Sequence, residues 1–279
     1  MNNTKVKVIA DSINESGDRV TTIECEYPRI IHAELLTHRV FSRNAASSRA
    51  IPVKTMLKNI WNNMFVPWYW GANQSGMQAK VQLSKPKIFI AKALWKIGVC
   101  INLLGSYLLS SIGVHKQLAN RNTEYASYIK TIVTSTDFDN FISLRLHPDA
   151  QPEIADLAYK IKVALENSKP RLLKEGEWHT PYVSSLRTTK EEWIHHVSGN
   201  YIPVFQAKKI SVSCCAQVSY RTNDTSIDKA IRITDALSKS TPIHASPFEH
   251  ICTPGNGTRN LKGWIQYREE IENGKYELL

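Results

Sequence analysis

The chain lacks the devices on which several common protein classes rest. Its five cysteines, Cys25, Cys100, Cys214, Cys215 and Cys252, are odd in number. None has zinc spacing, and adjacent Cys214 and Cys215 cannot chelate one ion comfortably. A reduced, cytoplasmic protein is the simplest reading. There is no Gly-rich strand-turn-helix fingerprint for a dinucleotide and no phosphate-cradling Walker loop. There is no Gly-x-Ser-x-Gly elbow, no His-Glu-x-x-His set, and no Pro-Cys-His site offering a nucleophilic thiol. An enzyme without these groups leaves its hard chemistry to a cofactor. Internal repeats and low-complexity tracts are absent, and Met1 to Lys7 is too polar to open a signal peptide.

Charge is present in excess but not in runs. The net charge is +10 over 279 residues. Such an excess suits nucleic acid, anionic nucleotides, and phosphorylated or polyglutamylated cofactors alike. A nucleic-acid-binding protein would gather its basic residues about a groove-entering helix. Here Lys and Arg are scattered, so that reading ranks last. The apolar share, 42%, is ordinary, and the length supports one good core. One segment tests the soluble assignment. Ile97 to Val114 carries no charge and approaches a short membrane span in length. Its Asn102, serines and glycines argue instead for a long helix buried in a core or subunit interface, with no membrane partner.

The local pattern predicts one compact α+β domain. Lys5 to Ile9 and Val20 to Tyr27 read as strands, with a turn at Gly17-Asp18. Ile30 to Thr37, Lys54 to Met64, Pro86 to Ile112, His115 to about Thr134, Pro152 to Glu166 and Asp228 to Lys239 read as helical. Ile210 to Tyr220 reads as strand entering helix. The Trp68-Tyr69-Trp70 cluster reads as core, with stacking on a flat ring as the alternative.

The densest chemistry lies in Thr37-His38-Arg39-Val40-Phe41-Ser42-Arg43-Asn44-Ala45-Ala46-Ser47-Ser48-Arg49. Three arginines, a histidine, an asparagine and three serines stand there without an acid. Guanidinium forks and hydroxyls bind phosphate. A helix starting near Asn44 to Ser48 would add free backbone N–H groups. The segment therefore predicts a pocket for a phosphorylated small molecule, against the bland alternative of a solvated basic loop. Apolar residues on both sides, Ile30 to Leu36 and Ile51 to Val53, oppose that alternative. Three further polar clusters accompany it: His115 to Arg121, Leu144 to Glu153, and Ser219-Tyr220 with His244 to His250. Each has a structural alternative. Arg121 and Glu124 pair on one helix face, Arg145 and Glu153 form an interhelical bridge, and His250 is a core histidine.

Together these clusters resemble the flavin-dependent thymidylate synthases. That family's Arg-His-Arg, seven residues, Ser signature is met by Thr37-His38-Arg39 and Ser47, with Ser42, Asn44 and Arg49 extending it. Leu144-Arg145 with Ala150-Gln151-Pro152-Glu153-Ile154 is similar to a family helix. Ala216-Gln217-Val218-Ser219-Tyr220 and His244-Ala245-Ser246-Pro247-Phe248-Glu249-His250 are similar to two further motifs. In the usual member these last two precede the first motif; here they follow it. The chain thus resembles a circularly permuted subgroup found in bacteriophages, with 210–254 matching the usual N-terminal part of a single domain spanning 1–279.

The resemblance implies a mixed sheet with long helices and a homotetramer in the host cytoplasm. It implies FAD, NADPH and methylenetetrahydrofolate as cofactors and dUMP as substrate, with a methyl group built at C5. His38, Arg39, Ser219, Ser246, Glu249 and Asn140 are implied flavin contacts. Ser47, Ser48, Arg49 and Arg121 are implied nucleotide contacts, with Asn120 aligning about as well as Arg121. Arg145, Ser47 and His244 carry the catalytic roles, and Gln151 and Glu153 support them. Several residues depart from the family pattern: Thr37 replaces an arginine, Ala45 a glutamate and Glu34 a glutamine. Thr134 and Thr136 lie near positions where Asn and Arg often meet flavin. These departures leave open a related methylation or hydroxymethylation of dUMP or dCMP.

Overall fold

The computed structural model describes residues 3–189, 193–219 and 223–274. Strands β1 (Lys5–Asn14) and β2 (Arg19–Pro28) form the expected hairpin, with Gly17 at φ 86° in its turn. Left-handed backbone of that kind costs glycine little. A 3-10 turn and the short α1 (His32–Leu36) lead into β3 (Ser42–Ala45). Helices α2 (Val53–Asn62), α3 (Lys85–Ser111) and α4 (Lys116–Ala119) follow. Then come β4 (Tyr128–Ser135), α5 (Asp139–Arg145), α6 (Pro152–Glu166) and β5 (Arg171–Leu173).

These strands make a five-stranded mixed sheet in the order β3-β4-β2-β1-β5. Among the described residues only β1 and β5 pair in parallel, Ser12 opposite Arg171. The expected helix from His115 to Thr134 is therefore corrected. It stops in a 3-10 turn at Ala126, and Tyr128 onward is a central strand, Ile132 paired with Glu24 of β2. The β-branched run Ile129 to Thr134 favours that outcome.

Strands β6 (Ser184–Arg187), β7 (Trp193–Val197) and β8 (Asn200–Ile202) form a separate antiparallel sheet. Helix α7 (Val204–Ala216) runs where strand entering helix was expected, and α8 (Ile227–Ser238) follows. Strands β9 (Cys252–Pro254) and β10 (Trp264–Gln266) pair before α9 (Tyr267–Glu272).

Two cores flank the main sheet. On one face Ile23, Cys25, Val133 and Ile129 pack with α1, α5 and α6 through Leu35, Phe141 and Ile154. On the other, Ile132 packs with Val212 and Cys215 of α7, Phe248, Ile251 and Tyr267. Val20 packs with Cys252, Leu261 and Trp264, so the first hairpin docks beside the chain's end. Trp68, Tyr69 and Trp70 are half-buried; Phe65 meets Trp68, and Trp95 of α3 meets Phe65, Trp70 and Tyr125, all edge to face. All five cysteines are free, and only Cys100 is exposed.

Candidate functional site

Strand β3 is the edge strand of the main sheet, and its alternation sorts the candidate residues. Arg43 pairs with Val133 and faces the α1–α5 side; Ser42 and Asn44 pair with Thr134 and Ile132 and face α7. Ser42 to Ala45 is strand, and a turn follows at Ser48 to Ala50, so the helix N-terminus expected near Asn44 to Ser48 is not formed.

On the first face Arg145, the last residue of α5, is a hub. Its Nε donates to His38 Nε2 (3.1 Å), Nη1 to Glu34 Oε2 (3.0 Å), and Nη2 to Glu34 O and Thr37 Oγ1 (3.3 and 3.1 Å). A guanidinium has five N–H groups, so one Nη1 hydrogen remains for a ligand. The salt bridge is with Glu34, not with Glu153; buried Glu153 takes Gln151 Nε2 instead. His38 is buried against Phe41 and Phe141. Its pKa is lowered by burial and then by Arg145 and Arg43. Because Nε2 accepts a hydrogen bond, the ring is neutral, with its proton on Nδ1. Burial raises the Glu34 pKa, opposed by Arg145. Arg43 ties the turn together by donating to Leu36 O and His38 O, both at 2.9 Å.

On the second face the first and last motifs meet. Ser47 N donates to Ser219 Oγ at 3.0 Å, and Asn44 Nδ2 to Cys215 O at 3.2 Å. Gln266 Nε2 donates to Ser42 Oγ (3.1 Å), Glu249 O (3.1 Å) and Asn260 Oδ1 (3.2 Å). The Glu249 carboxylate is paired with Arg268. His244 and Ser246 are exposed. Tyr220 lies outside the described residues.

A third cluster closes the end of the motif. Ser48 Oγ donates to Glu124, which also takes Arg121 (3.1 Å) and Arg29 (3.7 Å). Asn120 is buried and donates to Ser48 O and Ile51 O at 2.8 and 2.9 Å. Arg121 is 55% exposed, so of the two aligned residues it is the one placed to meet a ligand. Arg39, Arg49 and Asn140 are exposed, and among the described residues Arg39 and Arg49 have no ion pair. Thr134 is corrected from a possible flavin neighbour to a core hydroxyl: it bonds Thr22 Oγ1 (2.7 Å) and His250 Nδ1 (2.8 Å). His250 is thus the core histidine of the structural alternative, with burial pushing its pKa down to about 3.

The Arg145 hub and the Ser219–Glu249 set therefore lie on opposite faces of edge strand β3. Of the acids in these clusters, Glu34, Glu124 and Glu249 are each paired with arginine, while buried Glu153 takes the Gln151 amide. Uncommitted Arg39 and Arg49 leave the edge electropositive, which suits a phosphorylated ligand. Sequence reasoning missed Gln266, Arg268 and Asn260 as individual groups. Their contacts with Ser42 and Glu249 exist only once the segment around β10 and α9 has packed against β3.

No family model matches the chain, and no curated protein does. Among solved structures the fold is similar to that of a UMP/dUMP methylase, PolB from Streptomyces cacaoi, bound with 5-Br dUMP. The identity is 15% and the TM-score 0.50, covering 59% of this chain and 90% of that one. The same methylase bound with 5-Br UMP gives 17% identity and a TM-score of 0.49, with the same coverage. The chain therefore shares the fold of a pyrimidine nucleotide methylase over somewhat more than half its length.

Proposed function

We propose that this protein is a flavin-dependent methylase of a pyrimidine deoxynucleotide. Its reaction is that of a thymidylate synthase: one carbon from methylenetetrahydrofolate to C5 of dUMP, with FAD reduced by NADPH. The observation that supports this best is the direct bond from Ser47 N to Ser219 Oγ. It joins two motifs far apart in sequence whose family counterparts line one cleft. The methylase fold of the solved structures supports the substrate class.

The residues present fit a flavin in their chemistry. Hydroxyl, amide and guanidinium donors gather at the β3 edge, and Glu34, Glu124 and Glu249 are paired with arginine. Arg39, Ser219, Ser246, Asn140 and the Glu249 segment would hold it, with His38 supporting from below. Bound flavin supplies hydride chemistry at the pyrimidine. Arg49, Arg121, Ser47 and Ser48 would hold the nucleotide phosphate, and His244 would cover the ring system. The remaining Nη1 hydrogen of Arg145 would stabilise negative charge on the pyrimidine edge. Because the two candidate sets straddle one strand, the reading includes a site completed in an oligomer, a homotetramer by family resemblance.

A second reading has one observation in its favour. The Glu34 carboxylate is paired with Arg145; with Arg145 at the pyrimidine edge, it would accept a hydrogen bond from a cytosine amino group. Action on dCMP follows if that contact decides the base. The visible spectrum of the purified protein tests the shared core of both readings. A flavin band, native or gained on incubation with FAD, is expected; its absence under both conditions refutes them.

A further inference from the structure

A second basic cleft lies at the opposite edge of the main sheet from β3. Strand β5 pairs with β1 only from Ser12 to Asn14. Beside the earlier part of β1 opens a cleft of about 530 Å³, walled by β1, the segment before β5 and the start of β6. Four strand spacings, roughly 19 Å, separate β5 from β3. No residue lining this cleft belongs to the clusters described above.

Three cations line it without a counter-ion. Among the described residues Lys7, Lys169 and Arg171 form no ion pair, and the Arg171 guanidinium makes no hydrogen bond. Arg171 is held instead over the Trp193 ring, 5.2 Å from its centre. The Trp193 indole is itself fixed by donating to Leu172 O at 2.8 Å. All five guanidinium N–H groups are thus uncommitted on a side chain already held in place. Burial lowers the Arg171 pKa, opposed by Asp11 and Glu177, and a bound anion would offset that cost. The nearby acids are taken. Asp11 accepts Arg19 Nε and Nη2 at 2.8 and 2.6 Å and Thr21 Oγ1 at 2.9 Å. Glu24, opposite Lys7, accepts the Tyr182 hydroxyl at 2.7 Å and pairs with Lys130 at 3.7 Å.

Two backbone irregularities shape the same walls. Strand β1 is bulged between Val8 and Ala10, where Ile9 has no partner on β2. Lys7 pairs with Glu24 and Ala10 with Thr22, two positions on one face of β2. Without the extra residue Lys7 and Ala10 would face opposite ways. The bulge therefore turns Lys7 to the face of Ser12, whose partner on β5 is Arg171. Bulges often re-aim a side chain beside a site. Tyr182, in the facing wall, holds a left-handed backbone at φ 66°. That conformation is costly for a bulky residue and clusters at ligand sites.

We propose that this cleft is a second anion site, taking a small ligand that carries two or more phosphate charges. Arg171 supplies the fork, and Lys7 and Lys169 the point charges. The donors come from two separate segments of chain, which suits a tetrahedral group accepting from several sides; a planar carboxylate is satisfied by one fork. The volume is in the range of small-molecule sites.

This inference does not rest on the catalytic reading. Its test is calorimetric titration of the full chain with inorganic pyrophosphate at about 0.15 M salt, where remote charges are screened. The parent protein carries Arg39→Ala/Arg49→Ala, which removes the exposed, unpaired arginines of the β3 edge. It is expected to bind one pyrophosphate per chain. Adding Lys7→Ala/Lys169→Ala, two exposed positions, should weaken binding about tenfold or more, as should Arg171→Lys, which keeps the charge and loses the fork. Adding Lys85→Ala/Lys87→Ala instead removes the same charge from α3, outside the cleft, and should change affinity by less than about twofold. No binding to the parent, binding unmoved by the cleft variants, an equal loss in the α3 variant, or citrate binding as tightly as pyrophosphate would each overturn the site.

Discussion

Removing Arg145 tests the hub that holds one half of the site. In Arg145→Ala, Glu34 loses its ion pair and His38 Nε2 loses its donor, while Thr37 loses its tie to α5. The Glu34 bond is charge-assisted, but its partners are 20% and 30% exposed, so the lower end of the usual ~1.5–3 kcal/mol applies. Leaving the buried His38 acceptor unsatisfied adds about 1–2 kcal/mol. The sum is roughly 2–4 kcal/mol, or about 5–15 °C in melting temperature for a chain of this size. Glu34→Gln alone should cost less, and the double variant should recover about 1 kcal/mol of coupling. Differential scanning calorimetry of the four proteins reads all of this. A melting temperature within 2 °C of wild type for Arg145→Ala, with no coupling to Glu34, would refute the hub. Turnover should fall in Arg145→Ala well beyond any loss of folded protein, through lost charge stabilisation. Near-normal turnover would leave Arg145 a purely structural residue.

Other outcomes follow from the same contacts. Arg49→Ala should leave the melting temperature unchanged, because the side chain is exposed and unpaired, yet weaken nucleotide binding; an unchanged dissociation constant in calorimetric titration would remove it from the phosphate site. Truncation before His244 deletes Phe248, Ile251, Trp264, Tyr267 and Ile271 from two cores. At about 1.5–3 kcal/mol each that loss matches or exceeds a typical total stability of ~5–15 kcal/mol, so the shortened chain should be unfolded by circular dichroism and bind no FAD. Acid should destabilise the protein early. His32, His195 and His250 are held at about 4, 4 and 3 by burial, and burial also lowers His179. The unfolded chain protonates them near 6.5, so it binds more protons below that pH. Stability is then full above pH 6.5 and falls as the pH drops toward 4, by up to about 1.4 kcal/mol per pH unit per histidine. A melting temperature that stays flat from pH 7 to 4.5 would contradict this.

Elements with a clear period were legible in the sequence. Strand β2 and helices α2, α6 and α8 fall close to their expected bounds, the helices because each has an apolar side and a polar side, whereas β1 runs on to Asn14, five residues past the expected Ile9. Two elements were misread for one physical reason. Helix α7 is buried from Ala207 to Cys215 without a break, so it has no amphipathic stripe to betray its period. Strand β4 is buried on both faces from Thr131 to Ser135, which likewise removes the alternation. In the site, the motifs holding Ser47 and Ser219 do meet, and Ser42 is joined to the Glu249 segment through Gln266. Motif matching did not find that Glu34 occupies Arg145, or that Gln266 carries the junction, because those contacts exist only after the sheet edge and the chain's end have packed together. The outward face of α3 was apolar enough to look buried, and only the fold shows that the protomer does not cover it.

The central claim is tested most directly by the nucleotide product. The purified protein is incubated with FAD, NADPH, methylenetetrahydrofolate and dUMP, with dCMP in a parallel reaction, and the nucleotides are resolved by mass. The account predicts a nucleotide carrying one added carbon, dTMP in the first case, formed only when all components are present. Full recovery of unmodified dUMP and dCMP from a protein that is folded and flavin-loaded would contradict it.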